Sequence, residues 1–239
     1  MRAIVLLFTC LLMAFACNAQ QGLSLSSGGA YLQTAAWDEA VNTYNFNRPW
    51  ATTTLPHLNN GYSAGLSWST RVTPLWRLGV EARWSHFEAA VDDADGFTLT
   101  ADLLSGVFAA DVFPFQDSEA RNWALPRAFF RLGVGYGYTL GRTTNASDDQ
   151  RGEGAPTTFN GMNFPVQAYL GYDFYLADRL QLSPLLGTTW YPRIGADGMS
   201  RALTGNAGEV AEFDAGSAVE FRLRLSWRMA AAEDGYEPY

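Results

Sequence analysis

His57 and His86 are the two side chains suited by type to acid–base chemistry near neutral pH. Neither sits in a spacing that makes a catalytic pair. Ser85 directly precedes His86. Adjacent residues of a strand point to opposite faces, so this hydroxyl and imidazole cannot form a nucleophile–base pair. His57 follows Asp38 and Glu39 in a long aromatic stretch, and nothing in that spacing promises the hydrogen-bond reach a general base needs. His57 therefore reads as a loop surface residue and His86 as an interfacial one. Asp92-Asp93-Ala94-Asp95-Gly96 shares the acidic start of a calcium loop but lacks its ligand spacing and closing glutamate. It reads as a solvated loop tip. Gly133-x-Gly135-x-Gly137 lies inside a strand with no helix after it, so it is not a phosphate loop. Asn145-Ala146-Ser147 fits a glycosylation sequon by its spacing alone. Nothing here calls for an enzyme, a cofactor or a metal.

The remaining chemistry is electrostatic. Arg71, Glu81, Arg83, Asp102, Arg131 and Asp173 each sit in an alternating segment, as do Glu220, Arg222 and Arg224. On strands, alternation puts such residues on one face. If that face lines a narrow barrel, the charges must pair, because an unpaired buried charge is costly. Arg131 and Asp173, at similar depth on adjacent strands, are expected to pair. Glu81 and Arg224 are expected to meet across the lumen. The result would be a salt-bridged plug. A second reading of the same charges is a gated polar pore, with Gly133, Gly135, Gly137 and Gly141 leaving room inside.

The elements that position these residues are long strands. Residues 213–229 read FDAGSAVEFRLRLSWRM, with Val219, Phe221, Leu223, Leu225, Trp227 and Met229 alternating against Glu220, Arg222, Arg224 and Arg228. Soluble strands usually run about five or six residues; a transmembrane strand, apolar toward lipid and polar inward, runs longer. Seven more segments follow suit: 23–34, 61–72, 77–87, 97–112, 129–141, 163–175 and 180–191. Gly28-Gly29 disturbs the phase of the first, as a bulge would. The phase of 97–112 is open beyond Ser105-Gly106. Residues 35–58 form a long aromatic connection over the barrel mouth, 142–161 a polar loop and 194–212 a glycine-rich loop. The chain is thus all-β: an eight-stranded antiparallel up-and-down transmembrane β-barrel. Its tight turns, at 73–76 and 176–179, fall on one end and its acidic loops on the other. Tyr62, Trp84, Tyr138 and Trp190 would then mark the external membrane interface, and Trp76, Tyr172, Phe174 and Trp227 the periplasmic one. A soluble barrel would have to pack these aromatics inside a narrow lumen.

The whole chain agrees. Of 239 residues only 17% are charged, against about 25% in soluble domains. The net charge of −8 argues against nucleic acid as a partner. Arg2 and the apolar run 4–16 read as a signal peptide over 1–19, cut before Gln20. A lipoprotein leader would cut before Cys17, which Ala14-Phe15-Ala16 fits poorly. Both cysteines, Cys10 and Cys17, fall in this leader. The barrel then spans 20–229 and an acidic tail 230–239.

Over residues 22–229 the pattern resembles the small outer-membrane β-barrel proteins related to the OmpA barrel, in particular those of Bacteroidota-like bacteria. That resemblance implies the outer membrane of a Gram-negative bacterium, with both termini periplasmic. It implies a monomer amid lipid bilayer and lipopolysaccharide, with a structural role or an extracellular partner at the loops. Two features depart from it. There is no room for a peptidoglycan-binding domain, and ten residues follow Met229 where many such barrels end on an aromatic.

Overall fold

The computed structural model describes residues 20–49, 53–91, 96–115, 127–145, 157–195 and 213–229. The leader, the acidic tail, the tip at 92–95 and the hearts of the remaining long connections lie outside these residues. Strands β1 (Gln20–Thr34), β2 (Asn60–Thr73), β3 (Trp76–Ala90), β4 (Phe97–Val112) and β5 (Ala128–Asn145) pair in sequence order. The sixth stave is built from three pieces, β6 (Thr157–Asn163), β7 (Val166–Tyr172) and β8 (Phe174–Ala177). β9 (Leu180–Gly195) and β10 (Phe213–Arg228) complete the set, and β10 pairs with β1 from Gly22↔Arg228 to Thr34↔Gly216. All pairs are antiparallel, so the sheet closes into an eight-stave up-and-down barrel. Closure leaves no free strand edge, the condition for crossing lipid with strands.

The breaks in the sixth stave have local causes. Pro165 has no N–H to give the ladder, but its carbonyl still accepts from Gly135 N at 2.8 Å. Asp173 N donates to the Arg127 carbonyl at 3.0 Å, so bonding to the neighbouring chain continues past β7. Side chains keep their parity through both breaks: Phe159, Asn163, Gln167, Tyr169 and Asp173 are all buried. At the tight turn between β2 and β3, the Thr73 hydroxyl accepts from Leu75 N at 3.2 Å and Trp76 N at 3.1 Å.

Several expectations change. The register of β1 runs without a shift through Gly28-Gly29 on both neighbours, so there is no bulge. A Cβ on Gly28 would come within 2.0 Å of the Phe221 carbonyl oxygen; close approach of β10 accounts for the glycine. β4 is likewise unbroken across Ser105-Gly106. Residues 142–145 and 157–161 are strand, not loop. The connection after β1 opens with a helix, α1 (Ala35–Phe46). Thr34, still extended at φ −141° and ψ 125°, caps it by accepting from Trp37 N, and Asp38 lies in its first turn. Ala36, Trp37, Ala40, Val41 and Tyr44 are its buried residues, which is helical spacing.

α1 turns that face into the barrel mouth. Tyr44 stacks on Phe97 with ring centroids 4.7 Å apart, and Trp37 meets Phe159 edge-on at 6.3 Å. Leu55 and Leu58 of the return segment join Phe87, Leu99, Leu103 and Ile194 in the same cluster. Asn45 pins the return segment twice, accepting from Leu55 N at 2.8 Å and donating to its carbonyl at 2.9 Å. A second, smaller cluster of Phe113, Phe129, Tyr169 and Leu185 lies toward the turn end.

Candidate functional site: the lumen

Two bonded layers of charge fill the turn half of the lumen. In one, Arg83 donates to Glu220 and to Thr189 Oγ1 (2.9 Å), and Tyr169 and Thr189 hydroxyls meet at 2.8 Å. Thr189 in turn donates to the same Glu220 oxygen at 2.7 Å. Next to it, Glu81 receives Arg222 on one oxygen and Arg131 Nη2 on the other at 2.5 Å. Arg222 also reaches the Ser26 hydroxyl. Toward the turn end, three arginines converge on Asp111. Arg77 Nε (2.8 Å) and Arg224 Nη1 (2.9 Å) share Oδ2, and Arg131 Nη1 holds Oδ1 at 3.2 Å. Arg77 also bonds Asp173 at 3.2 Å, whose other oxygen accepts from Ser183 at 2.7 Å. Arg222 and Glu220 are each only 1% exposed, so these pairs are cut off from solvent screening.

The predicted lumen residues Glu81, Arg83, Arg131, Asp173, Glu220, Arg222 and Arg224 are all in this network, but not in the expected pairs. Arg131 meets Glu81 and Asp111 instead of Asp173, and Arg224 meets Asp111 instead of Glu81. Barrel strands tilt against the axis, so equal counts from the turn end do not mean equal height. Arg131 registers with Tyr169, four positions from Asp173. Arg71 sits at the turn-end rim, donating to the Pro74 carbonyl at 2.6 Å and lying 4.9 Å from the Phe113 ring.

Asp102 is not in the lumen. It registers with His86, and directly paired residues share a face. Its carboxylate accepts from Trp84 Nε1 at 2.7 Å and meets His86 Nδ1 at 2.8 Å on the outer wall. Asp111, the hub of the network, was missed. Both errors arise because β4 changes its polarity code midway. Near the loop end, Phe97, Leu99, Ala101 and Leu103 point inward against α1, and Thr98, Thr100 and Asp102 point outward. Near the turn end, Leu104 and Phe108 are exposed and Asp111 is buried.

The interior glycines do not leave a pore. A Cβ on Gly137 would lie 2.5 Å from Asn163 Oδ1, and one on Gly141 within 2.2 Å of three Phe159 ring atoms. At Gly133 and Gly135 the nearest atoms would be 3.0 and 2.5 Å away. These glycines admit neighbouring side chains and backbone.

The eight predicted interface aromatics all point outward. Tyr62, Trp84, Tyr138 and Trp190 lie toward the loop end, and Tyr62 packs against both Trp84 and His86. Trp76, Tyr172, Phe174 and Trp227 lie toward the turn end, with Tyr172 and Phe174 in ring contact. His57 does find a carboxylate: its Nδ1 is 2.9 Å from Asp38. Its Nε2 faces the amide oxygen of Asn42 at 3.2 Å, so this trio clamps the return segment to α1 and presents no nucleophile.

A chemical choice in the sequence also went unread. All 16 basic residues are arginine. A planar guanidinium presents a rigid fork of donors that can hold two carboxylates while its flat face stacks on a ring. Arg77 does this here, bonding Asp111 and Asp173 while lying 5.1 Å from the centres of both Phe113 and Phe129.

No protein-family model matches the chain, and no curated protein does. Solved structures do resemble it. A major outer membrane protein from Thermus thermophilus shares 14% identity over 87% of this chain and 99% of its own, with a TM-score of 0.49. Ail, the attachment invasion locus protein of Yersinia pestis, crystallised with the heparin analogue sucrose octasulfate, shares 8% over 87% and 98%, with a TM-score of 0.45. Neisserial surface protein A shares 11% over 86% and 96%, with a TM-score of 0.43. On its own geometry this chain is an eight-stave antiparallel up-and-down β-barrel with an apolar outer wall.

Proposed function

We propose that this chain is a monomeric outer-membrane barrel with a non-conducting lumen, acting through the surface it presents at its loop end. On this reading a cleaved leader exports it, and both termini face the periplasm. Bilayer lipid and lipopolysaccharide surround its aromatic girdles. The observation that carries the proposal is double closure. The α1 cork seals the loop half with apolar contacts, and the arginine–carboxylate network seals the turn half. Solute passing through would have to displace a helix and then separate buried ion pairs, each costly to open. A partner therefore meets the outside: α1, the return segment 53–59, and the rims of the β3–β4 and β5–β6 hairpins.

The channel reading has no support in the filled glycine positions, and the enzyme reading none in the His57–Asp38–Asn42 clamp. Single-channel recording in a planar bilayer tests the proposal on refolded protein whose gel mobility is heat-modifiable. Silent bilayers are expected. Reproducible conductance steps that change when Arg222 is replaced would reject it in favour of a narrow channel.

A further inference from the structure

We propose that the turn half of the lumen is a binding site for a small free oxyanion of the phosphate or sulfate class, held by Arg77, Arg131 and Arg224. The first observation is a charge imbalance. Glu81 and Glu220 balance Arg83 and Arg222 in the deeper layer. Among the described residues, Asp111 and Asp173 alone face Arg77, Arg131 and Arg224 toward the turn end. Guanidinium stays protonated in proteins, so one positive charge is left over. Arg131 and Arg224 side chains are only 6% and 4% exposed, and a buried charge without a counter-charge is strongly unfavourable.

The second observation locates the surplus. Arg77 Nη2, Arg131 Nε, and Arg224 Nε and Nη2 are buried and have no hydrogen-bond partner. All three guanidinium groups touch one carboxylate, that of Asp111. Idle nitrogens also occur in the deeper layer, at Arg83 Nε and Arg222 Nε, but there carboxylates match arginines in number. Arg77 and Arg224 lie about 5 Å from the centre of the Phe129 ring. Ring contact favours a cation but supplies no negative charge to cancel it. Planar guanidinium forks match the geometry of oxyanions.

The third observation is access. The Arg77 side chain is 12% exposed, so the site opens toward the turn end. Phosphate on a lipid headgroup offers the same chemistry, but the idle donors sit inside the lumen while lipid meets the outer wall.

The test is isothermal titration of refolded full-length protein in zwitterionic detergent with inorganic phosphate, at constant ionic strength set by chloride. One saturable site per chain is expected, with a matching saturable rise in the temperature of the heat-modifiable transition. Arg224→Met removes the surplus charge and leaves Arg77 and Arg131 facing Asp111 and Asp173. This variant is expected to bind phosphate at least tenfold more weakly, yet to fold without phosphate as well as the parent. Absence of saturable binding by the parent overturns the proposal on its own, whatever the variant does. So does undiminished binding by Arg224→Met, or an equal, unsaturating stabilisation of both proteins, the mark of general salt exclusion. Binding seen only in phosphatidylglycerol vesicles, and not in detergent or phosphatidylcholine, would assign the contact to lipid and reject the free-anion site.

Discussion

The turn half and the loop half of this barrel are filled by opposite rules. In the turn half, arginines and carboxylates face in while Leu223, Leu225, Phe108 and Leu132 face out. In the loop half, Leu99, Leu103, Phe87 and Phe159 face in, and Thr98, Thr100, Asp102 and Glu88 face out. Surroundings explain the reversal. Where the outer wall meets lipid, apolar groups go outside and polar ones share the lumen. Where the wall rises into water, the barrel is packed like a soluble protein, with α1 as its filling. Packing in the first half is directional and all-or-nothing; in the second it is additive and tolerant of small changes.

Four substitutions test this contrast. The largest effect is expected in the turn half. Glu81→Ala leaves Arg222 without a carboxylate and Arg131 with Asp111 alone, and removing one partner of a buried ion pair costs about 3–5 kcal/mol. Urea unfolding followed by gel mobility would measure it, and a loss comparable to an exposed pair would refute the buried network. Leu99→Ala in the loop half is expected to cost about 2–4 kcal/mol through the lost packing and residual cavity. That loss should appear as faster amide exchange in α1 with the turn half unchanged; global acceleration would mean the halves are one cooperative unit. Asn45→Ala removes both bonds to Leu55 and is expected to cost about 1–2 kcal/mol, read by protease cleavage after the return segment loosens. Smallest is His57→Ala, under about 1 kcal/mol because the Asp38 pair is partly exposed and screened. Its effect should fade in high salt, whereas that of Glu81→Ala should not.

Legibility in the sequence followed the same divide. Strand parity is a local, two-residue property, so the clean hairpins β2–β3 and β5, and the whole of β10, could be read directly. Cross-lumen partners depend on strand tilt, which no local pattern encodes, and so Arg131 and Arg224 were given the wrong carboxylates. Asp102 and Asp111 were misjudged because one polarity rule was applied to a strand that uses two. The helix was visible in principle. Thr34 ahead of Asp38 and Glu39, with Ala36, Trp37, Ala40, Val41 and Tyr44 at helical spacing, is a capped amphipathic pattern. Treating everything between strands as connection hid it.

The pairing of β1 with β10 bears on how the molecule is made. The Ser24 and Ser226 hydroxyls bond at 2.9 Å across 202 residues of chain. Glu220, Arg222 and Arg224 all sit on this final strand. Until it docks, Arg83 lacks Glu220, Glu81 lacks Arg222, and Asp111 lacks Arg224. Completion of the ionic interior and joining of the first and last strands are therefore a single event in assembly. A chain truncated before residue 213 would leave Arg83 without its carboxylate and the sheet with two open edges, and folding should be correspondingly late and all-or-none.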